Sequence, residues 1–285
     1  MLYARHFPIR YGKMRVIDSC WRAAIGNRDT SRLAALNYGG FTMPCDITEM
    51  LQRQFYFFGT YFVEADTLQC WQTVAKHSDV VLDVGANAGI YSLAALAANP
   101  RATVYAFEPT PEIAARLRAT VQQNGLHRLH VQDAAVFSKT GFATLKRYRG
   151  DFGSNEGMNF ISESGNDAAE WVSTVTIDDF CREHSIDRVD LLKLDIQGHE
   201  HSALLGAKNM VETGRVGILF LELNWAGDAG VACPASESVH LLEDAGYRFS
   251  KPGKRLNWQE SGPWLRNLNE VVAISNAYRE ATKSH

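Results

Sequence analysis

From Val80 onward the chain alternates short apolar runs with stretches whose apolar residues recur at helical spacing. The runs are Val80–Val84, Thr103–Phe107, Leu129–Val136, Asp190–Asp195, Val216–Leu223, Tyr247–Ser250 and Val271–Ser275. Each has the length of a buried strand and ends in turn-forming or polar residues. Small residues from Ile90 to Ala98 predict a helix halted by Asn99-Pro100. Thr110 can cap the next helix, Pro111 suits its first turn, and Glu112 suits its positive end. Ile113, Leu117 and Val121 give that helix one buried face, and Asn124-Gly125 closes it. A further helix runs through Leu204 and Met210; another, capped by Ser236, carries Val239 and Leu242 and ends at Gly246. This alternation predicts an α/β fold, a mostly parallel seven-stranded sheet with helices on both faces.

Two stretches break the pattern. Residues 1–78 are irregular and carry the aromatic patch Phe55 to Phe62; they read as an N-terminal extension or substrate lid on a domain spanning 79–285. Residues Ser138 to Trp171 are polar and glycine-bearing, flanked by the strand-like Thr144–Tyr148 and Val172–Val175. They predict an antiparallel β-hairpin insertion at about 139–175, with a loop around Asp151 to Asn159 able to close over substrate or to lie on the surface.

Composition narrows the function. Apolar residues make up 46% and charged residues 21%, enough for a packed core. A net charge of −3 without a basic block argues against a nucleic-acid partner, whose binding rests on neutralised phosphates. The five cysteines are scattered and include no Cys-x-x-Cys pair, which fits reduced thiols in a cytoplasmic protein. No segment reads as transmembrane. Tyr3, Phe7, Tyr11 and Trp21 stand among basic residues; packing of this arm on the domain is the plainer expectation, with peripheral membrane contact the other. The sequence leaves homo-oligomerisation open.

The turn Gly85-Ala86-Asn87-Ala88-Gly89 follows the first strand, where a sheet of this type binds ligands. A dinucleotide site wants a glycine where this chain has Asn87. Asp83, at the strand end, repels pyrophosphate and suits a cation. S-adenosyl-L-methionine carries two cations, an ammonium and a sulfonium. Glu108, followed by Pro109 at the second strand end, is placed for two ribose hydroxyls. Asp133 is placed for the adenine amino group, with the Ala134 N–H facing a ring nitrogen. Each signal alone has a plainer reading: a turn, a cap, a surface acid. The order of acid and turn, then acid, then acid over successive strands carries the assignment.

From about Phe58 to Asn224 the chain resembles the FkbM-type methyltransferases. The resemblance rests on Leu82–Gly89, Phe107-Glu108-Pro109, Val175–Asp178 and, most specifically, Asp190–Glu200. It implies a Rossmann-like class I methyltransferase fold and methyl transfer to an oxygen on a sugar, polyketide or similar small-molecule or glycan hydroxyl. The family usually has Glu where this chain has Gln197, a change that keeps shape and loses charge. Residues Gly59 to Glu64 look like the segment preceding the core in sugar-modifying members.

A positioned base should help an aliphatic hydroxyl attack. The candidates are Asp195 or His199 as base, with Glu222 orienting the acceptor. His199 reads equally as a helix-start residue, Glu200 better as a structural one, and Lys193 and Asp195 as a pair on one strand face. Magnesium on Asp195, Glu222 and Asn224 is an alternative by analogy with catechol-type enzymes; no metal site is assigned. The rival functions are an NAD-type oxidoreductase and a non-catalytic cofactor-binding partner protein.

Overall fold

The computed structural model describes residues 33–47, 49–59, 64–146, 149–150, 153–154, 160–162, 170–223 and 235–283. The basic aromatic arm around Tyr3 to Trp21, Tyr61, Phe62, most of the loop around Asp151 to Asn159, and Asn224 lie outside them.

The described chain opens with strands β1 (Leu33–Tyr38) and β2 (Phe41–Asp46), then helices α1 (Met50–Phe58) and α2 (Ala65–Ala75). The nucleotide-binding half follows: β3 (Val80–Val84), α3 (Ile90–Ala98), β4 (Thr103–Phe107), α4 (Pro111–Asn124) and β5 (Leu129–Gln132). Next come β6 (Ala134–Val136), β7 (Gly141–Lys146), β8 (Arg149–Gly150), β9 (Gly153–Ser154), β10 (Phe160–Ser162) and β11 (Glu170–Val175). The second half is α5 (Ile177–Glu183), β12 (Val189–Leu194), α6 (Glu200–Gly206), α7 (Lys208–Glu212), β13 (Val216–Glu222), α8 (Ala235–Asp244), β14 (Tyr247–Ser250), β15 (Glu270–Ser275) and α9 (Asn276–Lys283).

The main sheet has seven strands in the order β14-β15-β13-β12-β3-β4-β5, with β15 antiparallel to both neighbours and the rest parallel. Its central strands are buried on both faces, hence their unbroken apolar runs. Strand order reverses between β3 and β12, and the crevice at the C-terminal ends of these two strands is where such a sheet takes a ligand.

The run Leu129–Val136 is not one strand. It breaks at Asp133: β5 edges the main sheet, while β6 joins a second sheet of order β10-β7-β11-β6. The predicted insertion is therefore larger than a hairpin. Its β7 and β11 are antiparallel, but β11 also pairs β6 in parallel, burying Ala135, Ala143, Leu145 and Val172 together. The helix after β12 also breaks in two, at Ala207.

The described part of residues 1–78 shares the main core. Leu36, Met43, Phe55, Leu68 and Trp71 pack in one cluster with Val81, Leu93 and Val104. The Trp71 ring meets Tyr91 and Phe220 edge-on at 5.5 and 5.2 Å, and its indole N–H donates to the Tyr91 carbonyl. Phe55 of the aromatic patch is core, edge-on to Tyr38. Cys45, Cys70 and Cys181 are buried free thiols. Among the described residues no helix is long and apolar enough to cross a membrane.

Candidate active site

The turn after β3 is held by two glycines and a carboxylate. Gly85 has φ +80°, and a Cβ there would lie 2.0 Å from the Asp195 carbonyl oxygen, so only glycine lets β3 and β12 end this close. Gly89 has φ +83°, with Leu117 filling the place of its Cβ. Asn87 takes φ +49°, a left-handed conformation that asparagine tolerates. Glu108 reaches across from the end of β4: one oxygen accepts the Asn87 N–H at 3.0 Å, the other the Thr110 N–H at 2.8 Å. It fastens the turn and the start of α4 in one grip.

Asp83 is 1% exposed and points inward, accepting the Ser92 hydroxyl at 2.6 Å. Burial raises its pKa, partly offset by Lys193 and by Ser92. Asp133 is exposed and pairs with Arg118. Ala134 begins β6, paired to Ser173. The structure thus brings Gly85, Ala86, Asn87 and Glu108 together, with Pro109 next to them in the chain, while Asp133 and Ala134 stand where the two sheets part; Glu108, Pro109, Asp133 and Ala134 are not among the residues lining the cavity beside the turn.

A cavity of ≈ 390 Å³ opens beside this turn. Gly85 to Ala88 form one side, with Asp195, Gln197 and Glu222 at the strand ends. Four of its polar groups, Lys193, Asp195, Gln197 and Glu222, form one network. Lys193 Nζ lies 2.5 Å from Asp195 Oδ2 and 4.4 Å from the Tyr91 ring centroid, a buried cation against a π-face. The Gln197 amide donates to Asp195 Oδ1 at 3.1 Å and to Glu222 Oε2 at 3.2 Å. Gln197 sits at φ +56°, so the backbone itself swings this side chain between the two acids. A neutral donor suits the position; a third carboxylate would add like charge.

Burial, then the nearby Asp195 and Glu200, push Glu222 up to about 10. Burial works against Asp195 ionising too, but Lys193 beside it and hydrogen bonds from Lys193, Glu222 and Gln197 hold it below the usual carboxylate value. Burial thus favours the neutral form of Glu222, while Lys193 favours the ionised form of Asp195 beside it. The Lys193 charge is disfavoured by burial, yet Asp195, Glu64 and Asp83 more than restore it.

His199 precedes α6 and its ring lies 5.7 Å from Phe137; it does not line the cavity. Glu200 accepts the N–H groups of Ile196 and Gly198, the structural role expected of it. Asp195 and Glu222 do come together. Glu64, Tyr91 and Glu270 are additions: Tyr91 O–H donates to Glu64 Oε2 at 2.8 Å, and Thr67 donates to Glu270. No motif marked Glu270. Its place follows from antiparallel register, which sets it opposite Glu222. Among the described residues no group of His, Cys, Asp and Glu side chains is arranged to hold a metal ion.

Comparison with known proteins adds a family match: the model of the methyltransferase FkbM domain matches residues 83–249. The 2-O-methyltransferase NoeI of Sinorhizobium fredii is 28% identical over 152 residues, 49% of this chain and 62% of that protein. The 31-O-demethyl-FK506 methyltransferase FkbM of Streptomyces tacrolimicus is 30% identical over 162 residues, 47% of this chain and 61% of that protein. The hexuronic acid methyltransferase AglP of Haloferax volcanii is 23% identical over 210 residues, 73% of this chain and 78% of that protein. The chain thus spans less than two thirds of the length of the first two.

Proposed function

The chain belongs to the methyltransferase FkbM domain family, and on that premise we propose that it is an S-adenosylmethionine-dependent O-methyltransferase acting on a hydroxyl of a sugar, glycan or similar natural-product acceptor. The observation that carries this reading is the cavity that sets the Gly85–Ala88 turn against the Asp195–Glu222 pair. Two relatives bear O-methyl transfer in their names and a third a sugar derivative, which supports a hydroxyl-bearing acceptor without fixing its charge.

The residues fit the cofactor. Asn87 Oδ1 is buried and has no partner among the described residues, and Asn87 lines the cavity. The volume is in the range of small-molecule sites, roughly 300–1,000 Å³. In this reading Gly85, Ala86 and Asn87, closed by Gly89, hold the amino-acid end. Glu108 with Pro109 meets the ribose, and Asp133 with Ala134 the adenine. Asp83 acts from within, through its charge on the turn and on Lys193. S-adenosylmethionine, when bound, supplies a methyl group already activated by its sulfonium.

The chain's own residues do the rest. Asp195 and Glu222 hold one proton between them. A cation bound at the turn lowers their hold on that proton. Glu222, once ionised, would orient the acceptor and accept its hydroxyl proton. Gln197 and Lys193 keep Asp195 fixed beside it. His199 remains at the head of α6 as a support.

Calorimetry with S-adenosylhomocysteine and with NAD, followed by rate measurements across pH, tests the reading. S-adenosylhomocysteine binds and NAD does not. The methyl-transfer rate climbs from neutral to alkaline pH, and Glu222→Gln lowers it by about 10²–10³-fold while flattening the climb. NAD binding in place of S-adenosylhomocysteine, or an unaffected Glu222→Gln, would refute it.

A further inference from the structure

The cavity wall divides along the chain. The turn, Asp195, Gln197 and Glu222 lie inside the stretch matched by the family model. The facing wall lies outside it: Glu64, Asp66 and Thr67 at the start of α2, Lys251 after β14, and Asn267 to Glu270 leading into β15. The facing wall is a constructed surface. Thr67 is tied to Glu270 across 203 residues of sequence, and Glu64 is held by Tyr91. The wall is lopsided in ionisable groups, with Glu64, Asp66 and Glu270 against Lys251, and burial raises the pKa of both Glu64 and Glu270. The other cation of the cavity, Lys193, is committed to Asp195.

Resting on the reading above, we propose that Glu64, Asp66 and Glu270 form the acceptor-recognition wall and select polyhydroxylated acceptors without negative charge over anionic ones. Carboxylates accept charge-assisted hydrogen bonds from sugar hydroxyls. A carboxylate or phosphate on the acceptor would instead meet like charges along this wall, and specificity built on repulsion follows.

The test uses the full chain, labelled S-adenosylmethionine and two matched acceptors, a methyl glucoside and its glucuronide, at pH 8. That pH lies above the value of about 7 to which burial pushes Glu270. The glucoside is expected to exceed the glucuronide in kcat/KM by about tenfold or more. Asp66→Asn with Glu270→Gln is expected to shrink that preference to about threefold or less, leaving S-adenosylhomocysteine affinity unchanged. Asp66→Asn alone, at an exposed side chain, should move it in the same direction should the double variant not fold. Equal use of the glucuronide, or an unchanged preference in the variants, overturns the proposal. So does weakened S-adenosylhomocysteine binding in the variants, which would place the wall on the donor side. If neither glycoside is methylated, both are titrated into the S-adenosylhomocysteine-loaded protein. Preferential binding of the glucoside upholds the wall, and binding of neither overturns it. Failure to bind S-adenosylhomocysteine at all sinks the methyltransferase reading instead.

Discussion

Gly85→Ala tests whether the close approach of β3 and β12 is what builds the site. Two penalties act there. A left-handed conformation costs a residue with a Cβ about 1–2 kcal/mol, and Gly85 has φ +80°. The new Cβ would also stand 2.0 Å from the Asp195 carbonyl oxygen, where real contacts stay beyond 3.0 Å, so the two strand ends must part by roughly 1 Å. Overpacking of this kind costs about 1–3 kcal/mol. The sum is about 2–5 kcal/mol, or a fall in Tm of about 4–20 °C at about 2–4 °C per kcal/mol. Gly125→Ala supplies the control: φ is +62° and nothing lies within 4 Å of its Cβ, so it bears the backbone penalty alone. Thermal melts of both variants separate the two effects. Calorimetry with S-adenosylhomocysteine then reads the site, because moving the Asp195 carbonyl moves the turn. Gly85→Ala should bind at least about tenfold more weakly, a 1.4 kcal/mol effect, whereas Gly125→Ala should bind as the parent does. Equal Tm losses in the two variants, or intact binding in Gly85→Ala, would refute the argument.

Stability should fall as pH rises. Glu200, Glu270 and Glu222 stand at about 6, 7 and 10, above their ordinary 4.5. Acids raised in this way stabilise the fold fully below the unfolded value and lose that contribution as pH climbs through the folded one. The ligand-free Tm should therefore decline from about pH 5 toward pH 9, and Glu222→Gln should flatten the upper part; a Tm that rises over this window contradicts the assignment. Trp71→Ala should cost about 3–5 kcal/mol in urea unfolding, because Trp71 is 0% exposed in the shared core; a loss below about 1 kcal/mol would mark the N-terminal region as separable. Lys193→Met should destabilise by about 3–5 kcal/mol by leaving Asp195 and its neighbours without their cation. Adding Asp195→Asn to Lys193→Met should recover part of that loss, and a further, additive loss would show that the two residues do not interact.

Much of the fold was legible because apolar periodicity reports burial. Ile90–Ala98 is the helix read from its small residues, and Gly125 takes the left-handed cap that Asn124-Gly125 announced. Tyr247–Ser250 is a strand as expected, which the structure sets at the sheet edge, and Val271 to Ser275 lie in its neighbour β15. The failures share a cause. Leu129–Val136 is apolar throughout, so nothing local says that Asp133 hands the chain from one sheet to another. Residues 33–75 alternate too irregularly to show that β1, β2, α1 and α2 cover one face of the main sheet. Ser236, placed by the sequence pattern to cap a helix, lies within α8.

The site shows the same boundary. The Gly85–Gly89 turn, Glu108 at its strand end and the Lys193–Asp195 pair are separations of a few residues, and the chain dictates those through φ, strand period and composition. What the side chains face is another matter. Asp83 turns inward to Ser92, Gln197 bridges Asp195 and Glu222, and Glu270 arrives beside Glu222 from a distant antiparallel strand. Local sequence set which groups exist and how neighbouring ones are spaced. Only the assembled sheet decided which charges share a low-dielectric space, because that proximity depends on strands brought together by topology.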